Sequence, residues 1–381
     1  MTTPRRVLLA SHGTDRAGGA ETGLIELVER LQERGIEPVV VLPRGGDLAD
    51  EVERVGVRWR VAPSARWTPF DLTTFDRKFW RLRLALAIAR QLPAWFALLR
   101  DERPDAVITN SAVSPVPGLA CRLLGVPHIW WVHEFVTLDH DLVYAFGESF
   151  SQRVIGWTAK RVVVVSDAVG QYFSPPIPAR KIRVIYNGVV PREVGPNRID
   201  GDGLRLLLLG RQNEKKGSSL AIRAVGRLDD SVPVTLRLTG AIRPAYLAEL
   251  RELADGLGVT GRLEVCEHAA APDEHLDWCN ALLMCSHAEA FGRVTVEALK
   301  GGRPVIGSRS GGTLELITEG VDGLLFEPGN VDDLAAAITR LATDAGLLRL
   351  MSDAALDLNR DRYTIDEEIE QFVEVLGDVW K

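Results

Sequence analysis

Glu289 and Glu297 stand eight positions apart in the run Glu-Ala-Phe-Gly-Arg-Val-Thr-Val-Glu, with Phe291-Gly292 between them. The apolar stretch 281–285 precedes them and Val294 to Leu299 follows, the pattern of a short buried strand running into a helix. A glycine at that junction lets a ligand approach the backbone, and a first helical turn offers unpaired N–H groups to an anion. If helix ran through both glutamates, they would lie up to ~12 Å apart along its axis. A glycosidase pair needs its carboxyls within roughly 5 to 9.5 Å. The spacing therefore argues against an acid and a nucleophile acting on one bond. It suits two anchors on a long anionic ligand such as a sugar nucleotide; a surface helix with solvated glutamates would show the same spacing.

Other segments could serve such a ligand. The apolar run 206–209 ends in Gly210-Arg211 and leads to Lys215-Lys216-Gly217, positive charge concentrated after a strand. Arginine grips a diphosphate with two donors and lysine adds a mobile point charge, although a solvated cationic turn reads alike. Gly18-Gly19 precedes a first helix, but no full G-x-G-x-x-G fingerprint accompanies it, which weakens a dinucleotide-dehydrogenase reading. Ser310-Gly311-Gly312-Thr313 is a second glycine-backed helix start that could help hold a diphosphate or a sugar hydroxyl through its N–H groups. His133-Glu134 closes a strand, with His133 a candidate to touch a donor sugar or an attacking hydroxyl and Glu134 to lie near the acceptor, though a histidine there is more often structural. Asp139-His140-Asp141 superficially resembles a metal-binding Asp-x-Asp and reads as loop.

The elements that must position these residues follow from periodicity. Strands are expected at 7–10, 38–42, 57–61, 106–109, 128–132, 162–165 and 182–185, separated by helical patterns such as 21–34. The pattern restarts after Asn187-Gly188, with strands at 205–209, 234–238, 263–265, 282–285, 304–306 and 323–326. Strands spaced by helices predict parallel, doubly wound sheets in an α/β fold of two Rossmann-like domains. The first covers 1–188, the second 189–362, and a closing helix over 363–381 is expected to pack back on the first. Ligands of such sheets lie beyond the carboxyl ends of strands, so an interdomain cleft is the expected site.

Composition bounds the alternatives. The 381 residues, 46% hydrophobic and 25% charged, describe an ordinary globular chain with room for two cores. The net charge of −7 divides into +4 over residues 1–190 and −11 over 191–381, which argues against a nucleic-acid partner. Cys121, Cys266, Cys279 and Cys285 lack metal-ligand spacing and read as buried thiols. No signal-peptide pattern and no uncharged apolar run of about 18 residues stands out, so a cytoplasmic location is expected. Residues 77–100 carry six basic and no acidic side chains among aromatic and aliphatic ones, with Pro93 expected to kink the helix. That mix suits either transient docking on an anionic membrane at the inner face of the cell, or a core helix with a basic outer face.

Taken in order, Gly18-Gly-Ala-Glu21, His133, Asn187-Gly188, Gly210-Arg211 with Lys216-Gly217, Glu289-x7-Glu297 and Gly320-x-x-Gly323-x-x-Phe326 resemble the retaining glycosyltransferases of family 4, with the GT-B fold. The resemblance runs nearly the whole chain. It implies that Arg211 and Lys216 bind the donor diphosphate, that Glu289 holds donor-sugar hydroxyls, and that Glu297 holds the ribose. Phe291, Gly292, Arg293, Val294 and Thr295 would meet the sugar and phosphates, and Gly18 and Gly19 would close over them. His268, after Glu267, lies where the base is usually held, in place of the family's usual glycine. His133 matches the cleft histidine, so His133, Arg211, Lys216 and Glu289 form the implied catalytic set. The implied activity is transfer from a UDP, GDP or TDP sugar to a saccharide or lipid-linked acceptor in cell-surface glycan synthesis, with no cofactor and no metal. A nucleotide-sugar epimerase, or a catalytically silent sugar-nucleotide-binding subunit, would carry many of the same residues.

Overall fold

A computed structural model describes residues 4–15, 18–68, 77–139, 142–199, 203–266 and 272–381. The chain divides into two compact units, one formed by residues 1–188 with 365–381 and the other by 189–364.

In the first unit the strands are β1 (Arg6–Ser11), β2 (Glu37–Leu42), β3 (Arg58–Val61), β4 (Ala106–Asn110), β5 (His128–Val132), β6 (Arg161–Val164) and β7 (Ile182–Val184). The helices between them are α1 (Gly19–Glu33), α2 (Asp47–Arg54), α3 (Arg77–Glu102), α4 (Val116–Leu124), α5 (Glu148–Thr158) and α6 (Asp167–Phe173). All seven strands are parallel, in the order β3-β2-β1-β4-β5-β6-β7. The central strands are buried throughout, as parallel strands covered on both faces must be, and this is why they read as near-continuous apolar runs.

The second unit restarts the pattern with β8 (Leu204–Leu209), β9 (Val234–Thr239), β10 (Leu263–Cys266), β11 (Ala281–Met284), β12 (Val305–Ser308) and β13 (Gly323–Phe326). Its helices are α7 (Ser218–Val225), α8 (Pro244–Gly256), α9 (Pro272–Trp278), α10 (Arg293–Lys300), α11 (Thr313–Leu316), α12 (Val331–Thr343) and α13 (Ala345–Asn359). These strands are also parallel, in the order β10-β9-β8-β11-β12-β13. The order reverses between β8 and β11, and the carboxyl ends of those two strands are the switch point at which open parallel sheets bind ligands.

The closing helix α14 (Ile365–Trp380) belongs to the first unit. Ile365, Ile369, Phe372, Val375, Leu376 and Val379 fall on one helical face and join the core around β1, α1 and β5. Phe372 meets Trp131 edge-on, with ring centroids 4.7 Å apart.

Helix α3 runs on through Pro93. Within it, Phe79–Glu102 is long and apolar enough by composition alone to cross a membrane, with an 18-residue window of mean hydropathy 1.3; no uncharged run of that length is present, since arginines interrupt it.

Candidate functional site

In the second unit, three loops leave the carboxyl ends of the neighbouring strands β8, β11 and β12 and pack on one another. The first runs from Gly210 to Gly217. Gln212, buried, donates from its amide to the carbonyls of Leu208, Gly210 and Thr239 and accepts from Ser218 Oγ, which fixes the turn after β8. Asn213 then accepts from the Lys216 N–H at 2.9 Å, closing a short 3₁₀ turn over Glu214–Lys216. Gly217 ends that turn at φ +76, and a Cβ there would collide with the Cys285 carbonyl oxygen. Only glycine brings this loop so close to the end of β11, where the His287 N–H donates to Lys215 O at 3.1 Å.

That approach sets Lys216 against the second loop. Lys216 Nζ lies 2.7 Å from Glu289 Oε2, and Ser286 Oγ donates to the same oxygen at 2.9 Å. Glu289 sits before the helix and not within it. Helix α10 begins only at Arg293, behind Gly292 at φ +100 with no side-chain cap. The two glutamates are therefore not two points on one helix axis, as the spacing alone suggested, because Gly292 breaks the run between them. The third loop braces the second from below, since Gly311, at φ +54, would collide with the Glu289 carbonyl oxygen if it carried a Cβ. The Gly312 N–H donates to that carbonyl at 2.8 Å. This N–H, one of those that could have met a diphosphate or a sugar hydroxyl, positions Glu289 instead.

Four positions into α10, Glu297 is 6% exposed. Arg192 Nη2 donates to its Oε1 at 3.1 Å. Thr295 is fully buried and its Oγ1 has no protein partner. Phe291 packs edge-on against Tyr363, with centroids 5.7 Å apart. Arg211, directly after Gly210, is exposed and pairs with no described carboxylate. The arrangement offers a cation already paired with a carboxylate, a second cation in solvent, and an uncapped helix start, a combination that attracts a ligand with both anionic and hydroxyl groups.

In the first unit, two further candidates are joined by a residue the sequence did not single out. Asn110, at the end of β4, donates from Nδ2 to Ala20 O at 3.0 Å and meets His133 Nε2 through Oδ1 at 2.6 Å. With the amide nitrogen committed as donor, Oδ1 accepts, so the imidazole carries its proton on Nε2. Asn110 thus ties His133 to the start of α1, where Gly18 is the N-cap and the Glu21 carboxylate folds back against Gly13 and Gly18.

Two family models match the chain. Glycosyltransferase Family 4 covers residues 17–193, and Glycosyl transferases group 1 covers residues 190–357. The chain belongs to the family 4-type GT-B glycosyltransferases. This glycosyltransferase is 27% identical over 389 residues to the D-inositol 3-phosphate glycosyltransferase of Kribbella flavida, covering 91% of this chain and 87% of the relative. It is 24% identical to the lipopolysaccharide core biosynthesis glycosyltransferase LpsE of Rhizobium meliloti, over 94% of this chain and 96% of that one. Among solved structures, HepE from Anabaena in complex with UDP-glucose superimposes with a TM-score of 0.77 at 21% identity, over 98% of this chain and 99% of that one. A glycosyltransferase from Rickettsia africae reaches 0.80 at 20% identity, over 99% of each chain. At these identities the solved structures speak for the GT-B fold.

The glycosyltransferase brings Lys216, Glu289, Phe291, Gly292, Arg293, Val294, Thr295 and Glu297 together beyond the carboxyl ends of the central strands β8 and β11, with Arg211 just after β8. His268 and Glu267 lie outside the described residues, as do His140 and Asp141. Asp139 accepts from the Phe135 N–H at 2.9 Å within its own loop. Glu134 is not placed to serve an acceptor. It is 6% exposed; its Oε1 accepts from Ser111 Oγ and the Ala112 N–H and its Oε2 from the His133 N–H, so its carboxylate holds the loops after β4 and β5. Of the cysteines, Cys121, Cys279 and Cys285 are buried and Cys266 is half-buried. Burial pushes the Cys279 and Cys285 thiols up to about 12, which removes them as nucleophiles near neutral pH. Sequence reasoning missed Asn110, Arg192 and Ser286, whose roles depend on contacts between segments far apart in the chain.

Proposed function

We propose that this glycosyltransferase moves a sugar from a nucleotide diphosphate sugar to a hydroxyl of a saccharide or lipid-linked acceptor, with retention of anomeric configuration, in cell-surface glycan synthesis. The observation that carries the reading is the 2.7 Å pair between Lys216 and Glu289 beside the uncapped start of α10. A diphosphate entering there meets Lys216, Arg211 and the helix N–H groups, and Glu289 is left to accept hydrogen bonds from sugar hydroxyls. Glu297 holds the ribose, residues 292–295 meet the sugar and phosphates, and His268 holds the base. Gly19 and His133 keep the donor-sugar roles that the family resemblance implies.

As the bond between the anomeric carbon and the diphosphate oxygen breaks, negative charge gathers on the leaving group. Lys216 and Arg211 stabilise that charge more than they stabilise the ground state. The acceptor oxygen attacks from the face the diphosphate is leaving, and its proton passes to a diphosphate oxygen. The UDP and UDP-glucose complexes of HepE support a nucleotide diphosphate donor, and the names of the inositol-phosphate and lipopolysaccharide-core relatives support a polyol or saccharide acceptor. The test is to incubate the protein with UDP, GDP and TDP sugars and candidate acceptors, then read the anomeric coupling of the product by NMR. Retained configuration supports the proposal, and an inverted product refutes it. Donor isomerisation without acceptor would identify an epimerase, and binding with neither transfer nor slow hydrolysis a silent subunit.

For location we propose the cytoplasm, with peripheral contact at an anionic membrane through α3. Phe79, Leu82 and Leu86 are 60%, 58% and 47% exposed, and the exposed Arg83 and Arg90 share their stripe at helical spacing. The side chains of Arg77 and Lys78 lie outside those described. Replacing Arg77, Lys78, Arg81 and Arg83 by Glu is expected to abolish co-sedimentation with anionic vesicles. Unchanged sedimentation would end this proposal.

A further inference from the structure

Arg192 holds a position that neither a motif nor the resemblance marks. It follows Asn187-Gly188 in an extended segment fixed on both sides. Upstream, the Val189 N–H donates to Tyr363 O at 2.9 Å. Downstream, the Gly195 N–H donates to Asp277 Oδ1 at 2.9 Å, and Gly195 O accepts from Arg303 Nη1 at 2.6 Å. Arg303 is itself fully buried and also donates to the carbonyls of Gly301, Asp277 and Cys279. The backbone that carries Arg192 is thus clamped to the interior of the second unit.

Its guanidinium spans two carboxylates on different crossovers of the second sheet. One nitrogen donates to Glu297 Oε1 on α10 at 3.1 Å, and the other lies 3.3 Å from Asp273 Oδ1 in the first turn of α9. Glu297 is the more buried of the two, with 9% of its side chain exposed against 37% for Asp273. A buried carboxylate without a partner is costly and does not hold one orientation. No described residue donates to Glu297 Oε2, so the contact with Arg192 fixes the carboxylate by one oxygen and leaves the other for a ligand.

We infer that Arg192 is a positioning residue for the nucleoside half of the donor, acting through Glu297. The inference rests on the assignment of Glu297 to the ribose. Arg192 orients the acceptor oxygen for ribose hydroxyls without touching the reacting bond. Its loss therefore weakens nucleoside binding and raises the KM for donor with little change in kcat.

The test compares wild type, R192A, R192M, R192K, E297Q and the R192A/E297Q double variant by calorimetric titration with UDP, GDP and inorganic pyrophosphate. R192A and R192M are expected to weaken the nucleoside diphosphate that wild type binds by about tenfold, leave pyrophosphate affinity unchanged, and be partly rescued in R192K. The double variant should bind no more weakly than E297Q alone, because both changes remove one interaction. Wild-type affinity in both R192A and R192M, additive losses in the double variant, or an equal loss of pyrophosphate would overturn the inference. A wild-type protein that binds neither UDP nor GDP would overturn the donor reading itself, and this inference with it.

Discussion

Lys216 and Glu289 show how residues distant in sequence become one functional group. Their contact depends on two glycines that bring the loops together, Gly217 against Cys285 and Gly311 against Glu289. If Lys216 and Arg211 stabilise the departing diphosphate, Lys216→Ala or Arg211→Ala should each lower turnover by about 10² to 10³. Steady-state kinetics on purified variants would check this, and near-wild-type turnover in both would remove the assignment. These residues were legible in the sequence only in combination, because cations after a strand end or a glycine before a helix would each read as an ordinary turn alone. What was not legible was which partner each would take. The spacing of Glu289 and Glu297 suggested one continuous helix, and Gly292 breaks it. Glu134 looked like Glu289 in sequence, as a carboxylate after a buried strand, yet Ser111 and Ala112 consume it. The difference lies in chain segments that pattern reading does not connect.

At the scale of elements, the central strands were readable as apolar runs because a parallel strand covered on both faces carries little polar interruption, whereas the edge strands β3, β7 and β10 are partly exposed and carry arginine or glutamate. Their ends shift by a residue or two, where turns take over. Inside the first sheet, that burial carries a titration consequence. His128 on β5 is 1% exposed, with Nε2 bonded to Thr109 Oγ1 at 2.8 Å and Nδ1 without a partner. Burial pushes its imidazole down to about 3 from an ordinary 6.5. The unfolded chain therefore binds a proton below pH 6.5 that the folded chain refuses, and stability is lost as pH falls from there toward 3. Urea unfolding of His128→Asn should show a decline between pH 7 and pH 5 that is smaller than wild type by about 2 kcal/mol. Identical pH dependence in the two proteins would show that His128 takes up its proton as readily in the folded chain as in the unfolded one.

At the scale of the molecule, the chain builds two units with independent cores and returns to the first through α14. The restart of the strand pattern after Asn187-Gly188 made the two units legible. The return of α14 to the first unit was expected from the sequence; its partners, α1 and Trp131, required the structure. Phe372 is fully buried there, and Phe372→Ala should cost about 3–5 kcal/mol. Hydrogen exchange should report faster amide exchange across the described residues of 4–188, with 203–364 unchanged. A uniform increase across both units would contradict the division of the core. The acidic balance of the second half sharpens the meaning of the cationic turn after β8, since Arg211, Lys215 and Lys216 sit within a region of net −11. A polyanion would be repelled from most of that surface, and these three side chains are where a diphosphate would be drawn. The most direct measurement is a thermal-shift panel of UDP, GDP, TDP and ADP sugars on wild type and Lys216→Ala. One donor class should raise the melting temperature of wild type in a concentration-dependent way, and the shift should be much reduced in the variant. A flat panel for wild type, or equal shifts in both proteins, would contradict a donor site built around Lys216 and Glu289.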